Sequence, residues 1–352
     1  MSGRSTVVVV WAPQSATNHW STAAEHTLAS FAERIDVHLE PTLSQAVRER
    51  LVDAALTNAD ALVLCGWGSL GIGYLSTERL ARASRLRFIG STCHYRQAEF
   101  VDVTAALGQG IALSETAPIM SPWVAEYEFM LGLAALRHLP REHTLVGAGG
   151  WSHLLDLPDE FDRLQGRRVG LASFGEIHRH LARFLAPFDP DWQAFDPFVS
   201  AERIEAAGGH KADDLVTMAA RSEMLFIATP PTPQTTGLIN RAVIEALPHG
   251  AVFVLVSRMV VVEQAPLLER LTAGELRAAI DVYAPEPPPW DSPLRSLPNV
   301  IHTPHRAGNT RGAHQGVFLA QCEEARRCLA GEALQHPLRP ELVAIFPPRD
   351  KG

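Results

Sequence analysis

The stretch RVGLASFGEIHRHLARFLAPFDPDWQAFD, residues 168–196, decides the fold. Residues 167–171 form a short apolar run suited to a buried strand, and a tight turn of small residues follows, Ala172-Ser173-Phe174-Gly175. Ile177, Leu181, Phe184 and Leu185 then recur at helical spacing until Pro187 stops the helix. A second apolar run, 192–195, closes on Asp196, about 20 residues after Gly175. Strand, tight turn, helix, strand and acid is the order that binds a dinucleotide: the helix N-terminus faces the pyrophosphate and the acid takes a ribose hydroxyl. Ser173, Gly175, Glu176, Ile177 and Asp196 are therefore the candidate cofactor contacts. Of the three glycines of a full G-x-G-x-x-G turn only the middle one is present, with Ser173 and His178 at the outer positions. If the histidine pushes the helix off its strand, the pyrophosphate loses part of its donor set. On the turn alone, a plain structural strand-to-helix turn and a nucleotide site stay equally open.

The chain around this unit has 352 residues, enough for two α/β domains. Lys and Arg number 31 against 39 Asp and Glu, a net charge of −8, which argues against a nucleic-acid partner held over a broad surface. Cys65, Cys93, Cys322 and Cys328 make no CxxC pair, so no metal site and a reduced, cytoplasmic chain are expected. A strand-like VVVVW begins at Val7 with no charged leader before it, and no apolar run reaches the roughly 18 residues of a membrane helix.

Strand and helix patterns alternate before the central unit. Residues 7–11, 61–65, 86–89 and 111–113 read as strands, and 22–33 and 77–83 as helices. The loops at 66–71, containing Trp67 and Gly68, and at 90–96, containing His94 and Arg96, end strands and are candidate walls of a substrate pocket; solvent loops are the plain alternative. Residues 122–139 form a long helix apolar over more than one face, which predicts burial between domains or subunits. The segment 140–165 reads as irregular, a crossing between domains. Beyond Asp196, helices at 213–220, 264–273 and 311–329 alternate with strands at 224–228, 251–256, 278–282 and 300–303, and Asn240 is placed to cap a helix to Leu247.

Three charged or titratable groups follow successive strands of this second sheet: Arg258, Glu286 and His305. Parallel strands bring their carboxyl ends to one edge, the edge that also carries the Gly175 turn. Singly, each has a plain reading: a surface arginine, a solvated carboxylate in a proline-rich loop, a histidine bonded to backbone. Together they suit hydride chemistry at an alcohol carbon. Histidine passes the hydroxyl proton, a carboxylate orients the ring and favours its charged form, and arginine pairs with a substrate carboxylate in bidentate fashion.

From about Ala61 to Gly308 the chain resembles the D-2-hydroxyacid dehydrogenases. The matching pieces are RVGLASFGEIH with FDPF at 195–198, ATPPTPQTTGLIN at 228–240, LVSR at 255–258, AAIDVYAPEPPPWDSPLRSLPNV at 278–300 and TPHRAG at 303–308. The resemblance implies an α/β fold of two Rossmann-like, doubly wound parallel-sheet domains with a cleft between them. Residues 1–115 plus 309–352 would form a flavodoxin-like substrate domain, and 116–308 the NAD domain. It implies NAD as cofactor, selected by Asp196, with Thr229, Pro230 and Asp281 as further contacts. It implies a small 2-oxo or 2-hydroxy acid as substrate, Arg258 orienting it, His305 as acid/base and Glu286 supporting His305. It implies a homodimer, with the helix from Pro122 as hinge and dimer element. Departures from the family pattern stand at Ser173, His178, Met259, Met120 and the 91–97 loop. Glu286 and Met120 disfavour formate, and His94 with Arg96 suggest a second anionic group on the substrate. The competing reading is a catalytically weak relative that binds a nucleotide or a partner without turnover.

Overall fold

Four consecutive valines, Val7–Val10, are fully buried, as expected of a strand covered on both faces in a parallel sheet. They lie in β1 (Ser5–Trp11), the first strand of a computed structural model that describes residues 4–12, 16–66, 71–91, 96–151 and 163–338. The chain divides into two compact units, Met1–Met120 with Asn309–Gly352, and Ser121–Gly308.

The first unit is a five-stranded parallel sheet in the order β2-β1-β3-β4-β5, completed by β2 (Ala32–His38), β3 (Ala61–Cys65), β4 (Phe88–Ser91) and β5 (Ala112–Glu115). This is the flavodoxin-like strand order. The helix Arg311–Ala330 packs on β3, β4 and the helix Thr22–Phe31, and stops at Gly331, whose φ of 74° suits glycine. Two elements differ from the pattern reading. The helix expected over 22–33 ends at Phe31, because Ala32 opens β2; that strand escapes the pattern because four consecutive residues, Glu33–Asp36, are exposed on the sheet edge. A helix Gln45–Leu56, with only Val52 and Leu56 buried, also lacks a strong apolar period.

The second unit is a seven-stranded parallel sheet, β12-β11-β10-β9-β6-β7-β8. Its strands are β6 (Arg168–Ala172), β7 (Asp191–Phe195), β8 (His210–Lys211), β9 (Met224–Ile227), β10 (Ala251–Leu255), β11 (Leu276–Ile280) and β12 (Val300–His302). The chain runs outward from β6 to β8, returns to the other side of β6 at β9, and runs outward again. β6 and β9 therefore flank the topological switch point, with Ala172 paired to Phe195 on one side and Ile227 on the other. β9, β10 and β11 are buried at every residue, and each large apolar side chain there contributes on the order of 1.5–3 kcal/mol.

The helix Ser121–Leu136 turns one face, Ala125, Glu128, Leu131, Gly132 and Ala135, onto this sheet and onto the helix Glu176–Leu185. It approaches so closely at Gly132 that an added Cβ would meet the Phe226 ring at 2.6 Å. Trp123 and Met130 on the same helix stay exposed. Part of the segment expected to be irregular is helical, Leu139–Gly147, with no buried residue to mark it in the sequence. Asp214 and Asn240 cap their helices through side-chain oxygens. Among the described residues no helix is long and apolar enough to cross a membrane.

Candidate active site

Three loops leaving the carboxyl edge of the second sheet meet around one imidazole. The loop after β11 begins with Asp281, a fully buried carboxylate. Its Oδ1 accepts from the Thr303 hydroxyl at 2.5 Å and the Arg306 amide at 2.8 Å, and its Oδ2 from the Ala307 amide at 2.9 Å. The His305 amide donates to the Asp281 carbonyl at 2.8 Å. These bonds hold the loop after β12 in shape and keep His305 at a φ of 52°, a left-handed conformation costly for a residue with a side chain. The resemblance makes Asp281 a cofactor contact; here its carboxylate accepts three bonds from the loop that carries the histidine.

The His305 ring is gripped on both sides. Nδ1 lies 2.8 Å from Glu286 Oε2, and Nε2 lies 3.3 Å from Arg258 Nη1. Glu286 is itself oriented by the Tyr283 amide, which donates to Oε1 at 2.9 Å, and Arg258 by its bond to the Ser257 carbonyl at 2.6 Å. Burial pushes the Glu286 carboxyl up. Hydrogen bonds from His305 and the Tyr283 amide, with the charges of His305 and Arg258, outweigh it and hold the group below its ordinary value. A carboxylate at Nδ1 and a guanidinium at Nε2 select the tautomer with its proton on Nδ1 and its lone pair on Nε2, the form able to accept a proton. The sequence-chosen trio Arg258, Glu286 and His305 is thus one connected group, with the histidine and glutamate side chains 38% and 36% exposed and open to a small molecule.

At the switch point, the turn after β6 is pinned at three successive residues. Thr229 Oγ1 donates to the Ala172 carbonyl at 2.9 Å. The Ser173 carbonyl lies 2.8 Å from His178 Nδ1. The Phe174 amide donates to Asp196 Oδ2 at 2.8 Å, and the other Asp196 oxygen accepts from the Phe198 amide at 2.9 Å. Gly175 opens the helix Glu176–Leu185 without a side-chain cap, and a Cβ built there meets nothing within 4 Å. An uncapped helix start facing open space, with a carboxylate beside it, fits a dinucleotide: the helix end for the pyrophosphate, Asp196 for a ribose. Pro230 and Glu176 are exposed and Ile177 is half-buried at the same edge. His178 lies on the buried face of the helix. It is buried with Leu181, Ala182 and Leu185, its ring accommodated between the turn and the helix Ser121–Leu136.

The substrate-loop residues are less visible. Trp67, Gly68 and His94 lie outside the described residues, and Arg96 opens the short helical turn Arg96–Glu99 of the first unit. Glu128 is the functional candidate that pattern reading passed over. It is one of two carboxylates, with Glu126, in a mostly apolar helix, Ser121–Leu136; Glu128 is buried and Glu126 exposed, a difference the sequence pattern does not mark.

Residues 129–307 match the model of the D-isomer specific 2-hydroxyacid dehydrogenase NAD-binding domain. The chain is similar to D-3-phosphoglycerate dehydrogenase of Archaeoglobus fulgidus, 34% identical over 225 residues that cover 64% of this chain and 42% of the relative. It is 30% identical to formate dehydrogenase of Neurospora crassa, over 78% of this chain and 74% of the other. It is 29% identical to human glyoxylate reductase/hydroxypyruvate reductase, over 84% and 82%. The chain spans about half the length of the D-3-phosphoglycerate dehydrogenases it matches. Among solved structures, a phosphoglycerate oxidoreductase from Rhizobium etli shares the fold with a TM-score of 0.80 at 24% identity, covering 96% of this chain and 99% of that one.

Proposed function

The chain belongs to the D-isomer specific 2-hydroxyacid dehydrogenases, with NAD as cofactor, and from that premise we propose that it reduces a small 2-oxo acid to the D-2-hydroxy acid, or runs the reverse reaction. The observation that carries this reading is the His305 ring gripped between Glu286 and Arg258. NAD, when bound, supplies or takes the hydride. The protein's own part is proton transfer and orientation. His305 Nε2 takes the hydroxyl proton in oxidation and returns it to the carbonyl oxygen in reduction. Glu286, ionised at neutral pH, fixes the ring through Nδ1 and balances its charge when both nitrogens carry protons. Arg258 can turn its fork from the ring to a substrate carboxylate, aligning the adjacent carbon with Nε2. Ser173, Gly175, Glu176, Ile177, Asp196, Thr229 and Pro230 form the cofactor edge in this reading, and Trp67, Gly68, His94 and Arg96 the substrate side.

Two copies joined through the helix Ser121–Leu136 are the assembly we propose, on the exposure of Trp123 and Met130. The testing experiment is a spectrophotometric screen of 2-oxo acids with NADH, including phosphorylated and dicarboxylic ones. Turnover of one such acid, lost in His305→Ala, is the expected result. Reduction of no acid in the screen, or NADH left unbound at millimolar concentration, would sink the proposal.

A further inference from the structure

The outer glycines of the cofactor turn are absent, yet the turn keeps a backbone shape that glycine normally supplies. Ser173 has a φ of 92°, in the region that side-chain-bearing residues rarely adopt. Nothing in the serine explains how that conformation is held. The neighbouring contacts do. The carbonyl of Ser173 lies 2.8 Å from Nδ1 of His178, the residue that replaces the third glycine. Nε2 of the same ring lies 3.3 Å from Oε1 of Glu128 on the helix Ser121–Leu136, and both side chains are completely buried. Both imidazole nitrogens therefore face oxygen. Satisfying both takes one proton more than the neutral ring's single N–H, and that proton sits between ring and carboxylate. The second Glu128 oxygen, also buried, has no hydrogen-bond partner among the described residues, so the carboxylate's made bond is the one to His178. A buried carboxylate so committed fixes the orientation of its partner strongly.

We propose that Glu128 and His178 are positioning residues for the cofactor turn: the Glu128–His178 pair holds the Ser173 carbonyl, and with it the left-handed backbone that presents Gly175 to the pyrophosphate. The two departures from the glycine pattern are then one coupled change, Ser173 requiring the brace and His178 providing it. Glu128 completes it from a different helix. The inference rests on the reading of this turn as the NAD site.

The test is NADH affinity, read by fluorescence titration alongside thermal unfolding. His178→Leu keeps the buried volume and removes the donor, and is expected to raise the NADH dissociation constant about tenfold or more. Glu128→Leu is expected to do the same, with little added effect in the double variant. Glu128→Gln retains binding, because its amide can donate to Nε2 while Nδ1–H stays on Ser173. The decisive arm is suppression. Ser173→Gly needs no brace, so Ser173→Gly with His178→Leu should bind NADH within about threefold of wild type, whatever the melting temperature does. A brace that serves helix packing alone gives no such rescue. Undiminished binding in His178→Leu and Glu128→Leu, or failure of Ser173→Gly to rescue, overturns the inference while the wild type still binds NADH. Absence of binding by the wild type overturns the functional reading and the inference with it.

Discussion

Two residues with side chains, Ser173 and His305, sit at positive φ on the same edge of the second sheet, and they are held there in opposite ways. At His305 the bracing is concentrated. One buried carboxylate, Asp281, takes the Thr303 hydroxyl and two backbone amides, and its carbonyl takes a third amide. Around Ser173 it is distributed, with Thr229, His178 and Asp196 each pinning one residue of the turn from a different element. The difference follows what each loop must deliver. The loop after β12 aims one side chain, and an error of a fraction of an ångström at Nε2 is paid in rate. The turn after β6 presents backbone over several residues, where one lost contact is shared among those that remain.

The largest effect belongs to the delivered side chain itself. His305→Ala should lower kcat about 10²–10⁴-fold, while the NADH dissociation constant stays within a factor of about three, as measured by steady-state kinetics and fluorescence titration. If NADH binding falls and turnover does not, the division of labour between the two loops is wrong. Next comes the concentrated brace. Asp281→Ala strands two buried amides and a hydroxyl and should destabilise the protein by about 3 kcal/mol in urea unfolding, with turnover following as His305 loses its aim. A change below about 1 kcal/mol would mean that the loop holds its shape without that carboxylate.

Glu286 sharpens the comparison through pH. Its folded pKa is lowered, so the stability it contributes is present above its ordinary carboxyl value of 4.5 and is lost as the pH falls through the lower folded value. Glu286→Gln should therefore reduce the melting temperature at neutral pH, and the gap to wild type should close as the pH falls below 4.5. Turnover at neutral pH should drop about tenfold, since the amide keeps the ring's hydrogen bond and loses the balancing charge. A stability gap that persists unchanged in acid would show that the carboxylate's charge is not what Glu286 contributes.

Much of this site was legible before any coordinates. Arg258, Glu286 and His305 each follow a run mostly of apolar residues that reads as a strand, and parallel strands bring those ends to one edge. The turn was legible as a turn, but its bracing was not. Counting glycines shows only what the turn lacks, because a glycine motif is local and these contacts are not: Glu128 reaches His178 from 50 positions away in sequence. Burial of the histidine, too, is a tertiary fact. The strand β2 and the helix Gln45–Leu56 went unread for a simpler reason, since each has most of its residues on the solvent side and so leaves too few apolar positions to fix a period.

The distributed brace is best tested where it is weakest. Thr229 is buried and its hydroxyl donates to the Ala172 carbonyl, tying the first residue of the turn to the strand end across the switch point. Thr229→Val keeps the shape and removes that one donor. The net worth of such a bond is about 1 kcal/mol, and a stranded acceptor at the end of a strand can be met by solvent at part of the cost. With His178 and Asp196 still holding Ser173 and Phe174, NADH affinity should weaken by no more than about fivefold, and the melting temperature should move only a few degrees. The same substitution in the His178→Leu background should cost more than it does alone, because fewer contacts remain to share the load. Strict additivity of the two would mean that the three contacts act independently. The turn would then be a set of separate anchors, and the contrast with the Asp281 loop would reduce to a difference in number.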